Sequence, residues 1–119
     1  MNIVILGAGQ VGSELSAILA SDHDVTLIDL KQEKLQKISD HHDLKTICGN
    51  ACYPKTLEQA EIETADLAIA MTQYDEVNMV ACQMIKHMSK KTKTMARIRA
   101  TQYLGCLLYT SDAADDASS

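Results

Sequence analysis

Apolar residues fall in short runs along this chain, and stretches with helical spacing separate them. Residues 2–6 (NIVIL) form one such run, ending at Gly7. From Val11 the spacing changes, and Val11, Leu15, Ile18 and Leu19 share one face of a helix. Residues 24–28 (DVTLI) read as a second strand, ending at Asp29. A weaker helix follows, with Leu35 and Ile38 inward and Lys, Gln and Glu outward. Residues 45–48 (KTIC) read as a short third strand, with Cys48 buried in it. Pro54 suits the first turn of a short helix, where its missing N–H costs nothing. Residues 66–70 (DLAIA) read as a fourth strand. Val77, Val80, Ala81, Met84, Ile85 and Met88 then give the strongest helical pattern, and residues 93–98 (KTMARI) read as a fifth strand. Strands alternating with helices at this spacing predict βαβ units. These build a doubly wound parallel sheet with helices on both faces and right-handed crossovers.

Residues 106–119 (CLLYTSDAADDASS) break the pattern. They read as a disordered or foreign tail, resembling translated vector read-through, so the expected domain is 1–105, truncated at its end. That tail holds Asp112, Asp115 and Asp116 and no Lys or Arg, so much of the chain's net charge of −5 sits there. The near-neutral remainder, in a chain with four Tyr and no Phe or Trp, argues against nucleic acid as a partner. No apolar run approaches the ~20 residues of a membrane span. The N-terminus has no basic region followed by a long apolar one, so a cytoplasmic location is expected. The four cysteines show no paired spacing and are expected to be ordinary thiols.

Gly7-Ala8-Gly9-Gln10-Val11-Gly12 matches G-x-G-x-x-G, and its context is a Rossmann-like strand–turn–helix. Gly7 permits the tight turn, Gly9 lets a pyrophosphate approach the backbone, and Gly12 lets the helix pack close to the sheet. The helix N-terminus then offers free N–H groups and a positive dipole end. Asp29, at the end of the next strand, suits the two ribose hydroxyls and favours NAD over NADP. The competing reading is a structural glycine turn, with Asp29 capping the following helix.

Hydride-transfer chemistry lacks its acid–base set. No Tyr-x-x-x-Lys pair occurs, and His23, His41, His42 and His87 read as solvated residues. No metal-ligand spacing is present.

Beyond the glycine turn, the stretches GNA (49–51), TQYDEVNMVACQ (72–83) and ARIRATQY (96–103) carry a more specific signal. With ILGAGQVG (5–12) and LID (27–29), they make residues 1 to about 103 resemble the nucleotide-binding (KTN, or RCK N-terminal) domain of Trk-type potassium-uptake regulators. The resemblance implies a non-enzymatic regulatory domain that binds NAD(H), and ATP or ADP in related members. It implies a cytoplasmic, membrane-peripheral location. It also implies a homo-oligomeric or tandem-domain ring beneath a potassium-translocating membrane protein. Carried over by position, the cofactor contacts are Gly7, Ala8, Gly9, Gln10, Val11, Gly12, Asp29, Thr72, Gln73 and Arg97, with Asn50 and Ala51 near the adenine. Thr72-x-x-Asp75 also reads as a near capping box, and Arg97 as a structural partner of a carboxylate. The rival function is the cofactor-binding fragment of an NAD-dependent oxidoreductase. A third reading is a Rossmann fragment that binds nothing.

Overall fold

The computed structural model describes residues 1–103. The reading of 106–119 as a tail lies outside them. The elements run β1 (Asn2–Leu6), α1 (Gln10–Ala20), β2 (Asp24–Asp29), α2 (Gln32–Ser39), β3 (Lys45–Cys48) and α3 (Pro54–Gln59). A 3-10 turn (Ile62–Thr64), β4 (Leu67–Ala70), α4 (Asp75–Met88) and β5 (Lys93–Ala96) follow. All four strand pairings are parallel, in the order β3-β2-β1-β4-β5.

Alternation within the central strand builds the layers. Ile3 and Ile5 face one side of the sheet, packed with Leu35 of α2 and the partly buried Leu15 and Leu19 of α1. Val4 and Leu6 face the other, packed with Leu57 of α3 and Ala81 and Ile85 of α4. Helices therefore cover both faces, as the alternating pattern predicts.

Register decides what meets at the carboxyl edge. Leu6 pairs with Ile28 on one side and with Ala70 on the other. The residues just past the strands extend the row: Gly7 N–H donates to Ile28 O at 2.7 Å, Met71 N–H to Leu6 O at 2.7 Å and Arg97 N–H to Ala70 O at 2.9 Å. Gly49 N–H donates to Asp29 O at 2.9 Å. Turns far apart in sequence thus line one edge. The chain's direction across the sheet reverses between β1 and β4, where open α/β sheets form their ligand crevice.

Several burial expectations are corrected. In α1 the inward stripe is Gly12, Leu15, Ser16 and Leu19, while Val11 and Ile18 are 46% and 68% exposed. The small residues let the helix lie against the glycine turn, and this sets its rotation. Ser16 Oγ, fully buried, is satisfied by donating to Gly12 O at 2.7 Å. In α4 Val80 is half exposed, and Asn78 takes a buried position with Ala81 and Ile85. Cys48 is exposed, because the alternation of β3 buries Ile47. β5 stops at Ala96, short of the expected residue 98, because its partner β4 ends at Ala70.

Candidate functional site

Gly7 leaves β1 with φ +109°, a left-handed conformation that glycine adopts without the Cβ penalty. A Cβ there would also stand 2.9 Å from the Thr72 nitrogen. Gly12 lies directly beneath the turn, and a Cβ on it would collide with the Gly7 carbonyl oxygen. The two glycines therefore permit one close contact between β1, α1 and the loop after β4. Gly9 caps α1 with extended backbone and no side-chain hydrogen bond, and the first turn of α1 carries no acidic residue. The N–H groups and positive dipole end of α1 are left without a side-chain partner from that turn.

Above this turn lies a cavity of about 400 Å³. Of the twelve residues the sequence points to, ten line it: Gly7, Gly9, Gln10, Val11, Asp29, Asn50, Ala51, Thr72, Gln73 and Arg97. Ala8 and Gly12 support it from outside. Ala8 N–H donates to Asp29 Oδ1 at 2.9 Å, tying the turn to the end of β2, and Gly12 supplies the close packing.

Asp29 does not cap α2 with its side chain; Lys31 is the N-cap residue, without a side-chain cap bond. Instead Asp29 Oδ2 accepts the Lys31 N–H at 2.9 Å. Each carboxylate oxygen accepts one backbone N–H and keeps further acceptor capacity. Asn50 Oδ1 accepts the Cys52 N–H at 2.8 Å, which shapes the loop after β3.

The capping box at Thr72 does not form: Tyr74 is the N-cap residue of α4 and makes no side-chain cap bond. Thr72 is instead held by Asn78, its N–H donating to Asn78 Oδ1 at 2.9 Å and its hydroxyl to the same oxygen at 2.6 Å. Arg97 pairs with carbonyls and not with a carboxylate. Its Nη2 donates to Met71 O at 3.1 Å and Thr72 O at 3.0 Å, while its Nε is enclosed without a partner. Asp75 grips the segment after β5, accepting the Arg99 N–H at 3.0 Å and the Ala100 N–H at 2.8 Å. These bonds hold its carboxyl below the ordinary value of 3.8.

Sequence reading missed Lys34 and Arg99, which also line the cavity, and Asn78 behind it. With Lys31 and Arg97 the wall carries four cationic side chains against the one carboxylate of Asp29. Asn78 had a usable signal, since it stands three and seven residues before the buried Ala81 and Ile85, on their stripe.

Strand order, glycine turn and edge cavity define a Rossmann-like α/β domain. The TrkA-N domain family model matches residues 3–118, and the chain belongs to the TrkA-N domain family. It is 44% identical over 105 residues to the Trk system potassium uptake protein TrkA of Halomonas elongata, covering 87% of this chain and 23% of that one. The chain thus spans about a quarter of the length of that curated relative. Among solved structures it is similar to the TrkA-N domain of the inner membrane protein ybaL from Escherichia coli. That likeness has a TM-score of 0.78 and 20% identity over 85% of this chain and 75% of that one. It is also similar to the Kef CTD of Shewanella denitrificans in AMP-bound form, with a TM-score of 0.73 and 19% identity over 87% and 65%. Among the described residues no helix is long and apolar enough to cross a membrane, and no three His, Cys, Asp or Glu side chains group as for a metal.

Proposed function

We propose that this chain is a nucleotide-sensing domain that regulates potassium uptake through a Trk-type membrane transporter. One observation carries the reading: the glycine turn, Asp29, loop 49–51, loop 71–74 and Arg97 converge on one cavity where the sheet reverses direction. In this reading the free N–H groups of Gln10 and Val11 and the Arg97 side chain receive the phosphates. Asp29 accepts the ribose hydroxyls, and Asn50 and Ala51 flank the adenine. Gly7, Gly9, Thr72 and Gln73 complete the wall, with Ala8 and Gly12 holding its shape. The surplus of positive charge fits a diphosphate or triphosphate, in keeping with NAD(H), ATP or ADP, the ligands the family resemblance implies.

The potassium assignment leans on family membership and on the name carried by the Halomonas relative. The partner is then a potassium-translocating membrane protein, with the domain peripheral on its cytoplasmic side and assembled into a ring of like domains. Gating requires the nucleotide to favour one state of that ring over another. The oxidoreductase reading has less to recommend it, because the chain belongs to the TrkA-N domain family and the Halomonas relative is named for potassium uptake.

Calorimetric titration of NADH and ADP into wild type and Asp29→Ala tests the site. The substitution is expected to weaken both ligands by about tenfold or more, as for loss of hydrogen bonds to a charged group. Equal affinities in the two proteins would remove Asp29 from the ribose.

A further inference from the structure

Asn78 has all its amide hydrogen-bonding capacity engaged at one spot behind the cavity wall. Its Oδ1 accepts the Thr72 N–H and hydroxyl. Its Nδ2 donates to Thr72 O at 3.0 Å and to Arg97 O at 2.8 Å. The side chain is fully buried and does not line the cavity. A buried primary amide on an otherwise apolar helix stripe costs free energy unless every group is satisfied, and here every bond goes to Thr72 or Arg97.

Those two residues are themselves bonded, since Arg97 Nη2 donates to Thr72 O. The Thr72 carbonyl therefore receives both the Asn78 amide and the Arg97 guanidinium. Asn78 holds the Arg97 backbone from one side and one of the two acceptors of its guanidinium from the other. Arg97 Nε makes no bond of its own, so these contacts, together with the Nη2 bond to Met71 O, carry the orientation of the planar fork.

We infer that Asn78 is the positioning residue that aims Arg97 at the phosphates of the bound nucleotide, and so sets the affinity for the phosphoryl part of the ligand. The inference rests on the reading of the cavity as a nucleotide site. It separates Asn78 from residues that merely stabilise the fold: its effect runs through the Thr72 carbonyl to the Arg97 guanidinium and falls on charged ligands.

The test compares ADP with adenosine on the 119-residue chain. Asn78→Leu keeps the side-chain volume and removes both donors, to Thr72 O and Arg97 O, without adding a charge that would itself repel ADP. ADP is expected to bind about tenfold more weakly to it, with adenosine unchanged within about twofold. In an Arg97→Ala background the same substitution is expected to add nothing, because its route is gone. Equal losses for ADP and adenosine, additive losses in the Arg97→Ala background, or unchanged ADP binding would each overturn the inference. Wild type that fails to bind ADP would overturn it together with the reading beneath it. Should Asn78→Leu fail to fold by circular dichroism, the side-chain amide resonances of Asn78 in wild type decide. ADP shifting them where adenosine does not supports the assignment, and ADP leaving them in place overturns it.

Discussion

Two neighbouring strand-to-helix turns on the carboxyl edge solve the same problem in opposite ways. At the start of α1 the turn is made of glycine, no side chain caps the helix, and its first turn carries no carboxylate. At the start of α4, one strand along, Asp75 and Glu76 occupy the first turn. Asp75 reaches the Arg99 and Ala100 amides, Glu76 Oε2 accepts the Tyr103 hydroxyl at 2.7 Å, and Asn78 follows behind. The dipole end of α1 is left open, while that of α4 faces carboxylates supplied by the chain itself. The two helix N-termini on this edge thus differ in what their sequences supply, and only that of α1 is left open.

The sharpest way to break the open turn is Gly12→Ala. The new methyl meets the Gly7 carbonyl oxygen, so α1 must move off the sheet, at a cost of about 3 kcal/mol or more. Chemical denaturation should show a large drop in midpoint or no cooperative transition. A wild-type midpoint would mean that the close packing is not needed.

The closed turn responds to acid. The Asp75 carboxyl is held below 3.8 by the Arg99 and Ala100 amides, so the folded value lies under the unfolded one. Its contribution is full above 3.8 and is lost as pH falls through the lower, folded value. The Arg99 and Ala100 amide resonances should move in one step with a midpoint below 3.8. Asp75→Asn should abolish that step and speed exchange of the two amides by about tenfold, as weaker acceptors allow. A midpoint above the ordinary value would contradict the latch.

Gly9→Ala should change stability least. Its Cβ would meet nothing within 4 Å and its φ is −71°, which suits alanine. The unfolding free energy should stay within about 0.5 kcal/mol of wild type while nucleotide affinity falls, because Gly9 lines the cavity where the proposed pyrophosphate approaches the backbone. Loss of stability without loss of affinity would reverse the contrast with Gly12.

The strands and the glycine turn were readable because each depends on local pattern. Runs such as NIVIL and DVTLI admit few other structures, and the turn after the first of them needs the residue type found at Gly7. Helix rotation was harder. Counting apolar residues put Val11, Ile18 and Val80 inward, whereas close packing selected Gly12 and Ser16, and a polar network selected Asn78. Hydrophobicity ranks side chains by transfer from water and is blind to how near two backbones must come. The cationic wall was only partly legible, since Lys34 reaches the cavity from the polar face of a helix, and Arg99, though inside the ARIRATQY stretch, was not singled out from it.

The strand order also gives the molecule a sequence in time. Residues 2–48 contain three adjacent strands, β1, β2 and β3, and can pair as they leave the ribosome. Ile3, however, waits for Leu67 before its second edge is covered. Arg97 arrives later still, and Asn78 has no carbonyl to receive its second donor until then. Such long-range closures are slow relative to local pairing. During synthesis the glycine turn exists well before the far wall of the cavity. In the nucleotide-binding reading proposed above, the site is complete only once the fifth strand has docked.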